Sequence, residues 1–227
     1  LALFDHGQPR FNALNLRRIE LGQDCWVDHQ PGFLSGHQAL MDDLVPRVAW
    51  TQRERTMWDR QVLEPRLTAT VPSHGDHPLL HAIGQQLCAH YDAVLRQITL
   101  SLYRDGRDSV ALHGDRGDAR TLGSLTISVS LGAPRKLLLK PTEGPSRAFH
   151  LGWGDLFVMG GAIQQHWQHG IPKCRDAAPR MACLFWLSGR QSVVLDETRS
   201  HAAVASASIR ARVRASRWDR AVRMAIL

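Results

Sequence analysis

The chain has 227 residues, 44% of them hydrophobic and 22% charged. No run approaches about 18 consecutive apolar residues, so we expect a globular protein without a membrane span. Lysine and arginine outnumber aspartate and glutamate by 28 to 21, a net charge of +7 that suits a polyanionic partner such as nucleic acid.

The first 75 residues favour short strands and loops, because five prolines interrupt them, and they begin without the pattern of a signal peptide. Within them, residues 36–48 have helical spacing. A clearer helix is predicted from Pro78 to about Gln97, since proline suits a first helical turn and apolar residues recur every three or four positions as far as Leu95.

Beyond that helix the apolar pattern changes to a period of two, which indicates strands. In residues 125–132, Ile127, Val129 and Leu131 are expected to face inward. Six or more short strands without helices between them predict a mainly β protein, an antiparallel sandwich or barrel. The predicted strands are 98–105, 109–115, 125–132, 135–141, 154–161 and 179–188.

The cysteines and the carboxyl-terminal segment give two further indications. The four cysteines form no CxxC pair, which argues against a zinc knuckle or a disulfide scaffold and predicts reduced thiols in a cytoplasmic protein. From Ile209 onward six arginines oppose one aspartate. This composition favours a basic, disordered tail over an amphipathic helix.

The stretch SVALHGD carries the first candidate metal ligands. His113 and Asp115 point to the same side of a strand, with Cα atoms about 7 Å apart. His166 and His169 are three residues apart, so only one of them can join the pair if they lie on a strand. Two histidines and one carboxylate match the facial triad of Fe(II) oxygenases, whereas a structural zinc site takes four ligands. Arg180, at the start of a late strand, has a guanidinium group suited to binding a carboxylate of a dicarboxylate through two parallel hydrogen bonds.

Several motifs resemble those of the AlkB family. The run SLYRDGRDSVALHGD is similar to the family pattern N-x-Y-x-x-G-x-D followed by H-x-D. The later W-x-H-G-I-P-K and P-R segments resemble its distal histidine and arginine blocks. EPRLTATV (64–71) resembles a nucleotide-facing segment of the eukaryotic members. The order of these elements holds from about Pro65 to Leu187.

The resemblance implies a double-stranded β-helix, or jelly-roll, of two antiparallel sheets with flanking helices. It also implies that His113, Asp115 and His169 bind Fe(II), and it selects His169 over His166 because His169 directly precedes G-I-P-K. Within this family the cofactor is Fe(II), and 2-oxoglutarate and molecular oxygen are co-substrates.

The co-substrate and substrate contacts are also implied by the resemblance. Arg180 and Tyr103 are expected to bind 2-oxoglutarate, and Ser101 stands where the family has asparagine. Arg66 and Asp118 are expected to contact the substrate. The implied reaction is oxidative demethylation of alkylated bases in DNA or RNA, which yields succinate and formaldehyde and requires the base to leave the stack. We expect a monomer with nucleic acid as its partner.

Departures from the family pattern keep two alternatives open. Ala182 replaces the asparagine of the arginine block, Trp186 replaces its second arginine, and Val71 and Pro72 replace a tyrosine–glycine pair. The alternatives are the same iron chemistry on a substrate other than nucleic acid, and a binding module that kept the fold and lost turnover.

Motifs and composition together divide the chain into three regions. Residues 1–75 are expected to form an N-terminal extension with a substrate lid, residues 76–195 the catalytic core with its supporting helix, and residues 196–227 the basic tail.

Overall fold

The computed structural model describes residues 7–57, 60–72, 77–115 and 123–189. Within these ranges the helices are α1 (His37–Arg47), α2 (Pro78–Tyr91) and α3 (Ile163–His166). The strands are β1 (Arg10–Phe11), β2 (Arg17–Gly22), β3 (Cys25–Gln30), β4 (Leu34–Ser35), β5 (Glu54–Met57), β6 (Arg60–Leu63), β7 (Leu67–Val71), β8 (Ala93–Tyr103), β9 (Val110–His113), β10 (Leu125–Gly132), β11 (Arg135–Pro141), β12 (Arg147–Leu151), β13 (Leu156–Gly161), β14 (Trp167–Ile171) and β15 (Arg180–Gly189).

Two antiparallel sheets carry most of the strands. The major sheet has the order β2-β3-β13-β10-β15-β8-β7, and the minor sheet has the order β12-β11-β14-β9. From β8 onward the chain passes repeatedly between them: β9, β11, β12 and β14 belong to the minor sheet, and the other strands belong to the major sheet. This alternation is that of a jelly-roll. The predicted fold class is confirmed.

The major sheet is covered on both faces. Its apolar face packs against helices α1 and α2, and Ile127, Val129 and Leu131 of β10 are fully buried there, as predicted. The alternate residues of the same strand face the other way, toward the space between the sheets. The strand is therefore buried along nearly its whole length although its sequence alternates.

The boundary between helix α2 and strand β8 differs from the prediction. The helix ends at Tyr91 rather than near Gln97, because Asp92 adopts a left-handed conformation with φ of 47° and the strand begins at Ala93. Leu95 continues the apolar spacing of the helix but lies on the strand. It packs so closely against Gly84 that a Cβ there would stand 2.9 Å from the Leu95 side chain.

Other local predictions have mixed outcomes. Helix α1 confirms the helical spacing of residues 36–48, and β10 and β11 match their predicted ranges. The prediction of no helix between the strands was wrong, since α3 separates β13 from β14. Five strands of the two sheets were not predicted as individual strands: β2, β3, β7, β12 and β14.

Strands from both sides of residue 75 share one sheet. In the major sheet β3 pairs with β13, and β7 pairs with β8. The proposed division into an extension and a core remains a prediction, and the tail, residues 196–227, lies outside the described residues. No helix among the described residues is long and apolar enough to cross a membrane.

Candidate active site

The minor sheet brings the three predicted metal ligands together. Strands β9 and β14 pair in a register that places His169 opposite His113. Asp115 lies two residues after His113, beyond the end of β9 rather than on the strand as predicted, because β9 ends at His113. The Asp115 Oδ1 atom lies 3.8 Å from His113 Nε2 and 3.6 Å from His169 Nε2. Each residue offers one ligand atom, and the three atoms lie within 4.8 Å of one another.

This donor set fits a facial-triad metal ion. Bonds of about 2.1 Å place two ligands at right angles about 3 Å apart, so small side-chain rotations bring the three atoms to coordinating distance. Among the residues that the structure describes, no fourth histidine, cysteine or carboxylate joins the group. Three protein ligands leave positions open for a co-substrate and oxygen, as in the Fe(II) oxygenases.

The hydrogen bonding and burial of the two imidazoles suit metal binding. The His113 Nδ1 atom lies 2.9 Å from the Ala111 carbonyl oxygen, which can only accept, so Nδ1 carries the proton and Nε2 is free to bind a metal. Burial lowers the pKa of His169 to about 4, against the opposing attraction of Asp115. His169 is therefore neutral near pH 7.

Two polar residues that the sequence analysis did not select hold Asp115 in place. The Thr126 hydroxyl donates to Asp115 Oδ2 over 3.0 Å, and the Gln164 side-chain oxygen accepts the Asp115 backbone N–H over 3.0 Å. Gln164 also donates weakly to Thr126, over 3.3 Å. The network leaves Oδ1 directed at the histidines. The alternating pattern of β10 is the sequence feature that indicates Thr126 as a cavity residue, because Thr126 lies on the face of the strand opposite the core residue Ile127.

A cavity of about 560 Å³ extends from the triad between the two sheets, within the usual size range of small-molecule sites. Tyr103 and Arg180 lie in it, opposite each other in neighbouring strands β8 and β15, with the guanidinium carbon 5.4 Å from the tyrosine ring centre. Burial raises the pKa of Tyr103. Both residues therefore line the same cavity as the triad, and their contact with the co-substrate remains a prediction.

Arg180 is a buried cation without a protein counter-ion in the described part of the chain. It is 2% exposed, and its Nη2 donates to the Ser130 hydroxyl over 2.9 Å. Its Nε atom has no hydrogen-bond partner among the described residues. Burial lowers the pKa of the guanidinium. A buried charge left unpaired is costly, so this environment fits an anionic ligand such as a carboxylate.

The remaining predicted site residues have different positions. Ser101 is buried, lines the cavity and lies opposite Ala182 of β15. Arg66 also lines the cavity and forms an ion pair with Glu64 at 3.1 Å. Asp118 lies outside the described residues. His166 ends helix α3 and is not part of the metal-ligand group.

Comparison with known families identifies the class of protein. A profile of the 2OG-Fe(II) oxygenase superfamily matches residues 33–211. The chain belongs to this superfamily. Membership confirms Fe(II) as the cofactor and 2-oxoglutarate and molecular oxygen as co-substrates, and the matched range contains the triad, Tyr103 and Arg180.

Curated relatives within the superfamily confirm the AlkB resemblance. The chain is 29% identical over 170 residues to the human alpha-ketoglutarate-dependent dioxygenase alkB homolog 3, covering 63% of this chain and 59% of that protein. It is 26% identical over 208 residues to the DNA oxidative demethylase ALKBH2 of Arabidopsis thaliana, covering 71% of this chain and 66% of the relative. The chain thus spans about three fifths of the human relative's length.

Solved structures support the fold of the superfamily. A prolyl hydroxylase from Trichoplax adhaerens superposes with a TM-score of 0.58 at 11% identity, covering 74% of this chain and 86% of that chain. OsALKBH1 superposes with a TM-score of 0.53 at 12% identity, covering 74% and 99%. At these identities the likeness concerns the fold alone.

Proposed function

We propose that this chain is an Fe(II)- and 2-oxoglutarate-dependent dioxygenase that removes alkyl groups from bases of DNA or RNA. The observation that carries the proposal is the convergence of two histidines and an aspartate at one cavity, with the buried, unpaired guanidinium of Arg180 in the same cavity. The relatives named as dioxygenases and DNA demethylases support the substrate class.

In this proposal His113, Asp115 and His169 hold the iron through Nε2, Oδ1 and Nε2. Bound there, Fe(II) would supply the oxidising chemistry in which O2 and 2-oxoglutarate react: 2-oxoglutarate loses CO2 to become succinate, which takes one oxygen atom, and the other oxygen atom enters the methyl group. Thr126 and Gln164 keep the carboxylate oriented, and the His113 hydrogen bond to a backbone carbonyl keeps its ring in the metal-binding tautomer.

Arg180 and Tyr103 bind the distal carboxylate of 2-oxoglutarate in this proposal, and Ser101 lines the same chamber. Arg180 is suited to this because its planar fork offers parallel donors to a carboxylate. The apolar side chains around it, including Phe157 and Ile171, exclude water and strengthen the ion pair.

Arg66 and Asp118 are proposed to contact the nucleic acid. Cations outnumber acids in the described lining, where Arg53, Arg66 and Arg180 accompany Asp115 alone, which favours an anionic substrate.

After hydroxylation of the N-methyl group, the C–N bond to the base breaks, which releases formaldehyde and the unmethylated base. A monomeric state and a cytoplasmic location are further predictions, to be tested by light scattering and by cell fractionation.

The test begins with anaerobic titration of the metal-free protein with Fe(II) and 2-oxoglutarate. We expect a weak visible charge-transfer band that saturates at one equivalent. Oxygen is then admitted with oligonucleotides containing 1-methyladenine or 3-methylcytosine, and succinate and formaldehyde are measured. Equal amounts of both products support demethylation. Succinate without formaldehyde indicates another substrate, and absence of the band and of turnover indicates a binding module.

A further inference from the structure

Trp186 lines the cavity at the level of the metal-ligand triad. Within β10 and β15 it lies directly opposite Thr126, the residue whose hydroxyl fixes Asp115. Neighbouring antiparallel strands are about 4.8 Å apart, so the backbone of Trp186 is one strand away from the threonine that orients the carboxylate. Its indole lines the cavity.

The indole is held by a specific hydrogen bond. Its Nε1–H donates to the hydroxyl oxygen of Thr99 in β8 over 2.9 Å. Trp186 is half-buried, and an indole that satisfies its single donor in this way has a defined orientation and leaves its ring available for contact. Thr99 also lines the cavity, so Trp186 and Thr99 together form part of its wall.

Neutral hydrogen-bonding side chains line the cavity on β7, β8 and β10. Gln97 donates to Thr70 over 3.4 Å, a long bond that is easily exchanged, and both residues line the cavity. The hydroxyl oxygen of Ser128, also in the lining, is buried without a partner among the described residues. An aromatic ring beside amide and hydroxyl groups suits a planar ligand with polar edges.

A tryptophan here also changes what this position can bind. The AlkB resemblance expects an arginine at residue 186, which would bind a carboxylate. An indole has one N–H donor and no charge, and Thr99 already accepts that donor. The position therefore offers stacking surface rather than an anion contact.

We infer that Trp186, held by Thr99, is a specificity-determining residue that forms the wall on which the flipped alkylated base stacks. The inference rests on the proposed function, because it names the part of that same site that receives the base. Gln97, Thr70 and Ser128 face the polar edge of the base. Stacking tolerates different bases, since every base has a π face, so this wall selects for a planar ring rather than for one sequence.

The test uses the full chain with Fe(II), 2-oxoglutarate and a single-stranded oligonucleotide containing 1-methyladenine. Formaldehyde release gives KM and kcat for the oligonucleotide, and succinate release gives KM for 2-oxoglutarate. Trp186→Leu is expected to raise the oligonucleotide KM about 10-fold, because base–aromatic stacking is lost, with the 2-oxoglutarate KM unchanged within about twofold. Trp186→Phe retains a ring and keeps most of the affinity.

Thr99→Val removes the acceptor while keeping the side-chain shape, and it is expected to raise the oligonucleotide KM about threefold. It also keeps the inference testable if Trp186→Leu fails to fold. The matched control is Trp153→Phe, since Trp153 is 46% exposed and does not line the cavity. This variant should retain both wild-type KM values.

The results separate the inference from the proposed function. If the wild type demethylates the oligonucleotide while Trp186→Leu and Thr99→Val raise only the 2-oxoglutarate KM, residue 186 serves the co-substrate and the inference is overturned, although the proposed function stands. The inference is also overturned if neither variant changes the oligonucleotide KM. If the wild type consumes 2-oxoglutarate without releasing formaldehyde from the oligonucleotide, the proposed function and the inference both fall.

Discussion

The two sheets contribute to the cavity in different ways. The minor sheet supplies His113 and His169 of the triad, and Asp115, two residues beyond β9, is held by two polar neighbours. The major sheet supplies Arg180 and Tyr103, but beside them it presents Ser101, Ala182 and Trp186 where the AlkB resemblance expects two asparagines and an arginine. The three metal ligands thus keep the family pattern, while three of the major-sheet residues that line the cavity depart from it.

The metal ligands and the contacts to organic ligands can therefore be tested separately. Three ligands and their hydrogen bonds are needed for any iron chemistry, because a misplaced carboxylate lowers metal affinity directly. The contacts to organic ligands are spread over several strands, so the loss of one can be offset by another. Substitutions at Asp115 and Thr126 test the binding of the metal, and substitutions at Arg180 and Ala182 test the binding of 2-oxoglutarate.

Asp115→Ala is expected to have the largest effect. It removes the one carboxylate of the triad, so Fe(II) binding and oxidative turnover should fall by at least about 1,000-fold. Titration with Fe(II) and 2-oxoglutarate and a succinate assay measure both losses. The matched control is Asp176→Ala, since Asp176 is an exposed carboxylate. Wild-type metal binding by the Asp115 variant would remove the basis of the triad.

Arg180→Met is expected to raise the Kd for 2-oxoglutarate about 100-fold, because the distal carboxylate is then buried without a counter-ion. Metal binding in the absence of 2-oxoglutarate should be unchanged. Arg180→Lys keeps the charge but not the fork, and an intermediate effect of about 10-fold is expected. Arg175→Met, at an exposed position, is the control. Unchanged co-substrate affinity in both Arg180 variants would place the carboxylate elsewhere.

Thr126→Val is expected to weaken Fe(II) binding about 10-fold, since the Asp115 carboxylate loses the donor that orients it. Calorimetric titration under anaerobic conditions measures this change. Thr142→Val is the matched control, because its hydroxyl donates to a backbone carbonyl at an exposed site. If the two variants bind iron equally well, the hydrogen bond to Asp115 does not support the metal.

Ala182→Asn is expected to have the smallest effect, and in the opposite direction. It restores an amide on the cavity floor beside Ser101 and Ser130, and one new hydrogen bond should lower the Kd for 2-oxoglutarate about threefold. Ala148→Asn, on the exposed side of β12, is the control. A lower affinity after Ala182→Asn would show that the chamber has adapted to the smaller residue.

Much of the site could be predicted from local patterns in the sequence. The spacing of His113 and Asp115 alone indicates two side chains on one side of a strand, and Arg180 at a strand head indicates an anion contact. The helix end could not be predicted, because Leu95 continues the apolar spacing of α2 although it belongs to β8. The support of Asp115 by Thr126 and Gln164 could not be predicted either, since these residues are remote from Asp115 in the chain.

The amino-acid sequence was enough to predict the class of fold and the types of ligand atoms, because strand periodicity and side-chain chemistry can be read from consecutive residues. The resemblance selects His169 over His166, but the contact of His169 with Asp115 depends on the register of β9 and β14 in the folded chain. Only the tertiary structure joined the Trp186 indole to Thr99. Both depend on pairing between strands far apart in the chain, and shifting such a register by one residue would turn every side chain to the other face.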